Sequence, residues 1–291
     1  MWNALITELS KTLHCNLAIS NKIQLSNSGD DLLYKLSDDK QSFFVKVASK
    51  NKLDNFEQER IGLNTLTKES TFYVADSLLV GQSNEFAYHV IEWLDLDDGR
   101  ETDWYHFGVT LAELHKKHQQ QMFGFDLDNY IGLTAQPNEW HKKWDTFFAE
   151  QRIGFQLQLL AEKHVHLVDI DRFVDLIKQI LHTHHCQPSL LHGDLWRGNV
   201  GFCQRKPCVF DPACYYGDRE ADIAMTELFG KFHHDFYVGY QDTYPLPETY
   251  QERKHIYNLY HVLNHGNIFG NQYIEDAHMQ VVKIQQQYGL D

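Results

Sequence analysis

The sequence predicts an α+β chain in two lobes, a small N-terminal antiparallel sheet with one helix followed by a larger, mostly helical lobe. Three observations predict it. Short strand-like runs are concentrated in residues 19–94. Apolar spacings of three and four dominate after residue 102. Inside that helical half, two brief apolar runs, Ser189-Leu190-Leu191 and Val209-Phe210, are each followed closely by an aspartate, Asp194 and Asp211. The lobes are drawn as residues 1–94 and 95–291, with the hinge where Glu92-Trp93-Leu94 gives way to the polar run Asp95 to Gly99.

Taken in order, residues 2–13 read as an amphipathic helix through Trp2, Leu5, Ile6, Leu9 and Leu13. Strands are expected at 19–25, 31–36 and 42–48. A helix over 53–68 follows, with Leu53, Phe56, Leu63 and Leu66 on its apolar side. Two more strands, 72–80 and 86–94, complete the sheet. Beyond the hinge, Thr102 or Asp103 can cap a helix carrying Trp104, Phe107, Leu111 and Leu114 on one face. A long helix is expected from 139 to about 163, and another through Phe173, Leu176, Ile177 and Leu181, stopped before Pro188. The remainder reads as helices over 219–240, 249–266 and 273–288, with Pro245 and Pro247 between the first two.

Composition excludes several classes. Hydrophobic residues make up 43% of the 291-residue chain and aromatics 13%, ample for a folded core. The balance of 26 basic against 40 acidic residues, a net charge of −14, argues against a nucleic-acid partner. No apolar run approaches the roughly eighteen residues of a membrane span, and the N-terminus lacks a signal-peptide pattern, so a cytoplasmic protein is expected. The five cysteines read as reduced thiols. His182, His184, His185 and Cys186 cluster at a helix end, where the dipole favours histidine; a structural metal is the alternative reading.

Chemistry is concentrated between Leu190 and Leu228. His192-Gly193-Asp194 alone is an ordinary turn. Set between two apolar strands, with Asn199 five residues after Asp194 and Asp211 seventeen after it, the pattern fits phosphoryl transfer on a protein-kinase-like fold. Asp194 is then the base that orients the attacking hydroxyl, and Asn199 and Asp211 are hard oxygen ligands for Mg²⁺ on ATP. In the small lobe, Lys46 shares a strand face with Phe44 and Ala48 and needs an anion. Glu59 falls within the apolar stripe of the following helix and Glu57 outside it, so Glu59 is the expected partner. On such a fold Ser28 and Gly29 lie in the phosphate-covering loop, and the backbone at Glu92 and Leu94 meets the adenine. His192 is read as structural support. Asp222 either bonds the catalytic-loop backbone or simply favours a helix N-terminus.

The stretches HGDLWRGNV and FDPACYYGDREADIAM resemble the fructosamine kinase (ketosamine-3-kinase) family, in its bacterial branch. FFVKV at 43–47, TFFAEQRIGFQLQLLAEK at 146–163 and LYHVLNHGNIFGNQY at 259–273 agree, so the resemblance spans nearly the whole chain. It implies ATP- and Mg²⁺-dependent phosphorylation of the sugar 3-hydroxyl of fructosamine, ribulosamine or erythrulosamine adducts, a deglycation step, by a monomer or homodimer. It also implies that Trp196 lies near the acceptor, against the alternative of a core tryptophan. Trp140, Arg152, Asn264 and His265 lie in family-like stretches as further substrate-site candidates. A kinase of another small acceptor, of the aminoglycoside, choline or homoserine type, would use the same ATP residues.

Overall fold

A computed structural model describes residues 1–28 and 31–289, with side chains described for all of these except 26–28. In chain order the first elements are α1 (Trp2–Thr12), β1 (Asn21–Ser28), β2 (Asp31–Ser37), β3 (Ser42–Ser49), α2 (Leu53–Glu69), β4 (Tyr73–Val74), β5 (Ser77–Gln82) and β6 (Phe86–Glu92). There follow α3 (Glu101–His115), β7 (Asn129–Ile131), β8 (Thr134–Gln136), α4 (Trp144–Phe147), a π-helical turn (Phe148–Gly154), α5 (Phe155–Glu162) and α6 (Ile170–Leu181). The last third holds β9 (Ser189–Leu191), β10 (Val200–Cys203), β11 (Lys206–Val209), β12 (Tyr215–Gly217), α7 (Arg219–Leu228), α8 (His234–Thr243), α9 (Tyr250–Phe269) and α10 (Asn271–Tyr288).

The chain forms two compact units. The first comprises Met1–Gly99 and Gly201–Asp211, the second Arg100–Val200 and Pro212–Asp291. The division therefore differs from a single boundary after residue 94. The β10–β11 hairpin belongs to the first unit because β11 pairs in parallel with β4, Cys208 opposite Tyr73 and Val209 opposite Val74. Asp97 and Phe202 add a backbone bridge to the same layer.

In the first unit the main sheet has the order β1-β2-β3-β6-β5, with all of its pairs antiparallel. Strand alternation sends Phe43, Val45 and Val47 of β3 into one apolar cluster with Leu5 and Leu9 of α1, Leu36, Tyr88 and Val90. The opposite face puts Ala48 against Phe56 of α2. With both faces covered, β3 is buried along most of its length, and each fully buried apolar side chain contributes about 1.5–3 kcal/mol.

The second unit is built on α9, buried from Tyr250 through Asn267 along several faces. Helices α3 and α8 cross closely: a Cβ at Gly108 would fall 2.0 Å from the Phe236 carbonyl oxygen, and one at Gly239 2.1 Å from that of Tyr105. Asp103 stands at the third position of α3, where its carboxylate accepts the Arg100 N–H at 2.9 Å, so it closes a capping box and is not the cap itself. The helix expected from residue 139 begins at Trp144 and is interrupted by the π turn. The segment expected as one helix over 219–240 divides into α7 and α8 around Gly230, whose φ is +102°. Among the described residues, no helix is long and apolar enough to cross a membrane.

Candidate active site

The first unit brings Lys46, Glu59 and Asp211 together. The Lys46 ammonium donates to Glu59 Oε1 at 2.8 Å and to Asp211 Oδ1 at 2.5 Å. Lys46 reaches both from the face of β3 that covers α2, the consequence of its alternation with Ala48. Burial alone would push the lysine down, but the carboxylates of Asp211 and Glu59 outweigh it and hold the ammonium above its ordinary range. Burial likewise opposes ionisation of Glu59, and Lys46 and then His89 overcome it, so this carboxyl sits well below the usual range. Asp211 is pushed up by burial, and the charge of Glu59 adds to that push against the pull of Lys46. Its side chain still exposes 46% of its surface. Its backbone adopts φ +54°, a left-handed conformation that aspartate tolerates better than most residues and that recurs at functional positions.

His89 completes this cluster. It lies directly across from Lys46 in the β3–β6 register, fully buried, with Nδ1 3.5 Å from Glu59 Oε2 and Nε2 2.8 Å from Ser77 Oγ. Its signal in the sequence was a single polar residue inside the apolar run FAYHVI.

Of the other residues expected on the nucleotide side, Gly29 lies outside the described residues. Ser28 ends β1, and its side chain lies outside the description as well. The Glu92 carboxylate accepts from the Tyr73 hydroxyl at 2.8 Å and the Asp76 N–H at 3.3 Å, tying the start of β5 to the end of β6. Leu94 lies just past β6, partly exposed and outside any regular element.

The second unit holds the Asp194 loop. Strand β9 pairs antiparallel with β12, Leu191 opposite Tyr215, and the chain then turns through Gly193 at φ +83°. The two oxygens of Asp222 accept the backbone N–H groups of His192 at 2.8 Å and Gly193 at 2.9 Å. Asp222, in the first turn of α7, thus bonds the loop backbone, one of its two expected readings. His115 Nε2 lies 3.3 Å from the same carboxylate, and its Nδ1 meets the Tyr240 hydroxyl at 2.9 Å. Burial opposes the charge on Asp222, but the bonds from His115 and the Gly193 N–H leave it below the ordinary range. His192 supports the loop in two ways. Its carbonyl accepts the Ala213 N–H at 2.8 Å, and its Nδ1 accepts the Asp194 N–H at 3.3 Å. The backbone of His192 thus ties the loop to the segment after Asp211.

Asp194 itself is partly exposed while His192, Gly193 and Leu195 are buried, so the loop presents this one carboxylate. Asn199 donates its amide to the Asp194 carbonyl at 2.9 Å and to Asp194 Oδ2 at 3.0 Å. Those bonds use the Asn199 amide nitrogen, and its side-chain carbonyl is an oxygen donor of the hard class.

Trp196 is 36% exposed, its ring edge-on to Phe229 at 6.3 Å. Phe229 stacks on His265 at 4.4 Å, and Phe269 and Tyr273 stand against the far side of this row. Phe229 follows the last residue of α7, and no motif marked it. Burial pushes His265 down, so it stacks as a neutral ring. Asn264 is 2% exposed and lies in the interior, accepting from Gln156 and donating to the Ile131 carbonyl, both at 3.4 Å. Arg152 is likewise fully buried, donating to the Pro137 carbonyl and to Asn138 Oδ1 with its guanidinium 4.1 Å over the Tyr215 ring. Trp140 bonds Asp126 and lies beside Tyr216.

A family model described as fructosamine kinase matches residues 1–287. A probable ketoamine kinase of Vibrio parahaemolyticus is 50% identical over 287 residues, covering 98% of this chain and 99% of that one. Another, from Synechocystis, is 39% identical over 277 residues, covering 95% and 94%. The crystal structure of a provisionally named fructosamine-3-kinase from Haemophilus somnus matches with a TM-score of 0.93 at 33% identity, covering 98% of this chain and 97% of that one. Aminoglycoside phosphotransferase APH(4)-Ia, crystallised with AMP-PNP and hygromycin B, matches with a TM-score of 0.65 at 14% identity over 99% and 100%, a likeness of fold.

Proposed function

The chain belongs to the fructosamine kinase family and is an ATP-dependent phosphotransferase of ketosamines, and from that premise we propose that it phosphorylates the 3-hydroxyl of the ketosamine sugar in a deglycation step. The observation that carries the nucleotide side is the lysine bonded at once to Glu59 and Asp211. Such a lysine is fixed where it can serve the phosphates, and its charge is secured by two carboxylates.

In this reading the sugar oxygen attacks the γ-phosphorus as the bond to the ADP oxygen breaks. The hydroxyl proton passes to Asp194, whose orientation is fixed by Asn199 and by the Asp222-anchored loop. An aspartate is a weak base at neutral pH, but a loose transition state demands little proton transfer early, so positioning supplies most of the effect. Asn199 and Asp211 would hold Mg²⁺, which when bound neutralises charge developing on the phosphate oxygens. Trp196 offers an aromatic face to the acceptor.

The test is a coupled ATP-consumption assay with Mg²⁺ over fructosyl-lysine, ribulosyl-lysine, erythrulosyl-lysine, kanamycin and choline. Turnover of at least one glycated lysine, with phosphate on the sugar O3 by NMR, is expected. Turnover of kanamycin or choline alone would overturn the reading.

A further inference from the structure

We propose that His184, Cys186 and Asp218 form a binding site for a thiophilic divalent cation, Zn²⁺ by its ligand chemistry, remote in role from phosphoryl transfer. One imidazole nitrogen, the thiol and one carboxylate oxygen lie within 4.8 Å of one another. Around a tetrahedral zinc, donors stand roughly 3.3–3.8 Å apart, given metal–ligand distances of about 2.0–2.3 Å. The His184–Asp218 pair, 2.7 Å apart, would have to open to reach that spacing.

The placement follows from the backbone. After α6 ends at Leu181, the chain runs without regular structure to β9. His184 and Cys186, two apart, can present their side chains to the same side. That side meets Asp218, the N-cap of α7. The other histidines of the cluster are elsewhere: His182 bonds Asp145 at 2.9 Å, and His185 is exposed.

Two of the three ligands are bonded to each other, a hydrogen bond that the metal would replace, and Asp218 has a further contact of the kind that metal ligands ordinarily show. His184 Nε2 is 2.7 Å from Asp218 Oδ2, and the Tyr257 hydroxyl donates to the same oxygen at 2.6 Å. Oδ1 of Asp218 meanwhile accepts the Glu220 N–H at 3.1 Å, so one oxygen caps the helix and the other faces the cluster. Glu220, whose Oε2 is 3.9 Å from His184 Nε2, is clamped by Arg253 at 2.7 and 2.8 Å.

Charge argues in the same direction. Asp218 and Glu220 are each 1% exposed, and Arg253 supplies one compensating charge. The remaining negative charge favours a cation beside it. On binding, the thiol proton leaves to water as the metal–sulfur bond forms. The bound ion would join the strand entering the Asp194 loop to the helix that carries Asp222.

The test titrates chelator-stripped full-length protein with Cd²⁺ alone and follows the thiolate-to-cadmium charge-transfer band in the ultraviolet. Saturation at one equivalent is expected, with Cys186 the thiol that bound metal protects from alkylation, located by mass spectrometry. Cys186→Ser should abolish the band and His184→Ala should weaken binding about tenfold or more, whereas Cys15→Ser, an exposed cysteine, should leave both unchanged. Absence of the band in the wild-type protein, or protection of a different cysteine, overturns the proposal. The wild-type measurement decides the question even if a variant fails to fold.

Discussion

Lys46 Nζ lies 2.8 Å from Glu59 Oε1, a contact between the central strand β3 and the helix that follows it. The pair is nearly closed to water, with side-chain exposures of 10% and 14%. Glu59→Gln keeps the shape and removes the charge, leaving the ammonium to Asp211. Removing one partner of a fully buried pair costs about 3–5 kcal/mol, and Asp211 as a second partner brings the expectation to about 1–3 kcal/mol. On the proposed function, KM for ATP should rise about tenfold. Chemical denaturation and ATP-dependence of the coupled assay check both; unchanged ATP kinetics would remove the pair from the nucleotide site.

Asp194→Ala should lower kcat by about 10²–10⁴ and leave Mg-ATP affinity within a few-fold, because its assigned work is on the acceptor hydroxyl. Calorimetric titration with a nonhydrolysable ATP analogue separates the two. Loss of binding together with turnover would mean that Asp194 serves the nucleotide.

Gly193→Ala tests the loop itself. At φ +83° a side chain is strained, and a Cβ there would fall 2.0 Å from the Ala213 carbonyl oxygen, a backbone atom that cannot step aside cheaply. The loop must shift, pulling the Gly193 N–H from Asp222. A drop in kcat of at least tenfold is expected with a loss of about 1–3 kcal/mol in stability. An alanine variant with wild-type kcat would show that the Asp222 anchoring is dispensable.

Acid should destabilise the protein before its carboxylates titrate. Burial pushes His261 down to about 3, and His115, His255 and His265 are also lowered, burial being the first cause in each. In the unfolded chain these groups take up protons near pH 6.5. The stability from keeping them neutral is therefore complete above about pH 6.5 and declines as pH falls toward the folded values. For His261 alone the loss over the first two units below that point is about 2–3 kcal/mol. Urea midpoints measured across this range should fall, and His261→Asn should flatten the slope. A flat profile in the wild type would contradict the burial of neutral histidines.

Much of this was legible because it is periodic. Alternation put Lys46 on the face opposite Val45, and the helical stripe selected Glu59 over Glu57. The sheet strands and α2 follow the same local signals. What escaped is non-local or polar. The pairing of β11 with β4 joins residues about 135 apart in sequence, which no local pattern encodes. The interruption at 148–154 surrounds Arg152, a buried cation that donates to the Pro137 carbonyl and the Asn138 side chain. Asn129, Gln136 and Asn138 form an interior network that holds the carbonyls of Ala213 and Cys214. Loop amides such as these read in the sequence as surface residues, and only tertiary structure supplies their partners.

Trp196 and Phe229 give the sharpest test of the acceptor side. The Trp196 ring is 36% exposed and forms a T-shaped pair with Phe229, which is itself stacked on His265. A half-exposed indole contributes little to folding, so Trp196→Ala should change stability by less than about 1 kcal/mol. An aromatic contact to a sugar of about 0.5–1.5 kcal/mol predicts a three- to tenfold rise in the ketosamine KM, with KM for ATP unchanged. Phe229→Ala removes the backing of the indole and the stack on His265 together. It should raise the same KM and also cost about 1–3 kcal/mol in stability, since the ring is partly buried. The two variants differ in stability and agree in kinetics if the row works as a unit. A Trp196→Ala enzyme with wild-type ketosamine KM would place the acceptor away from this row and leave the indole as surface packing over Gly198.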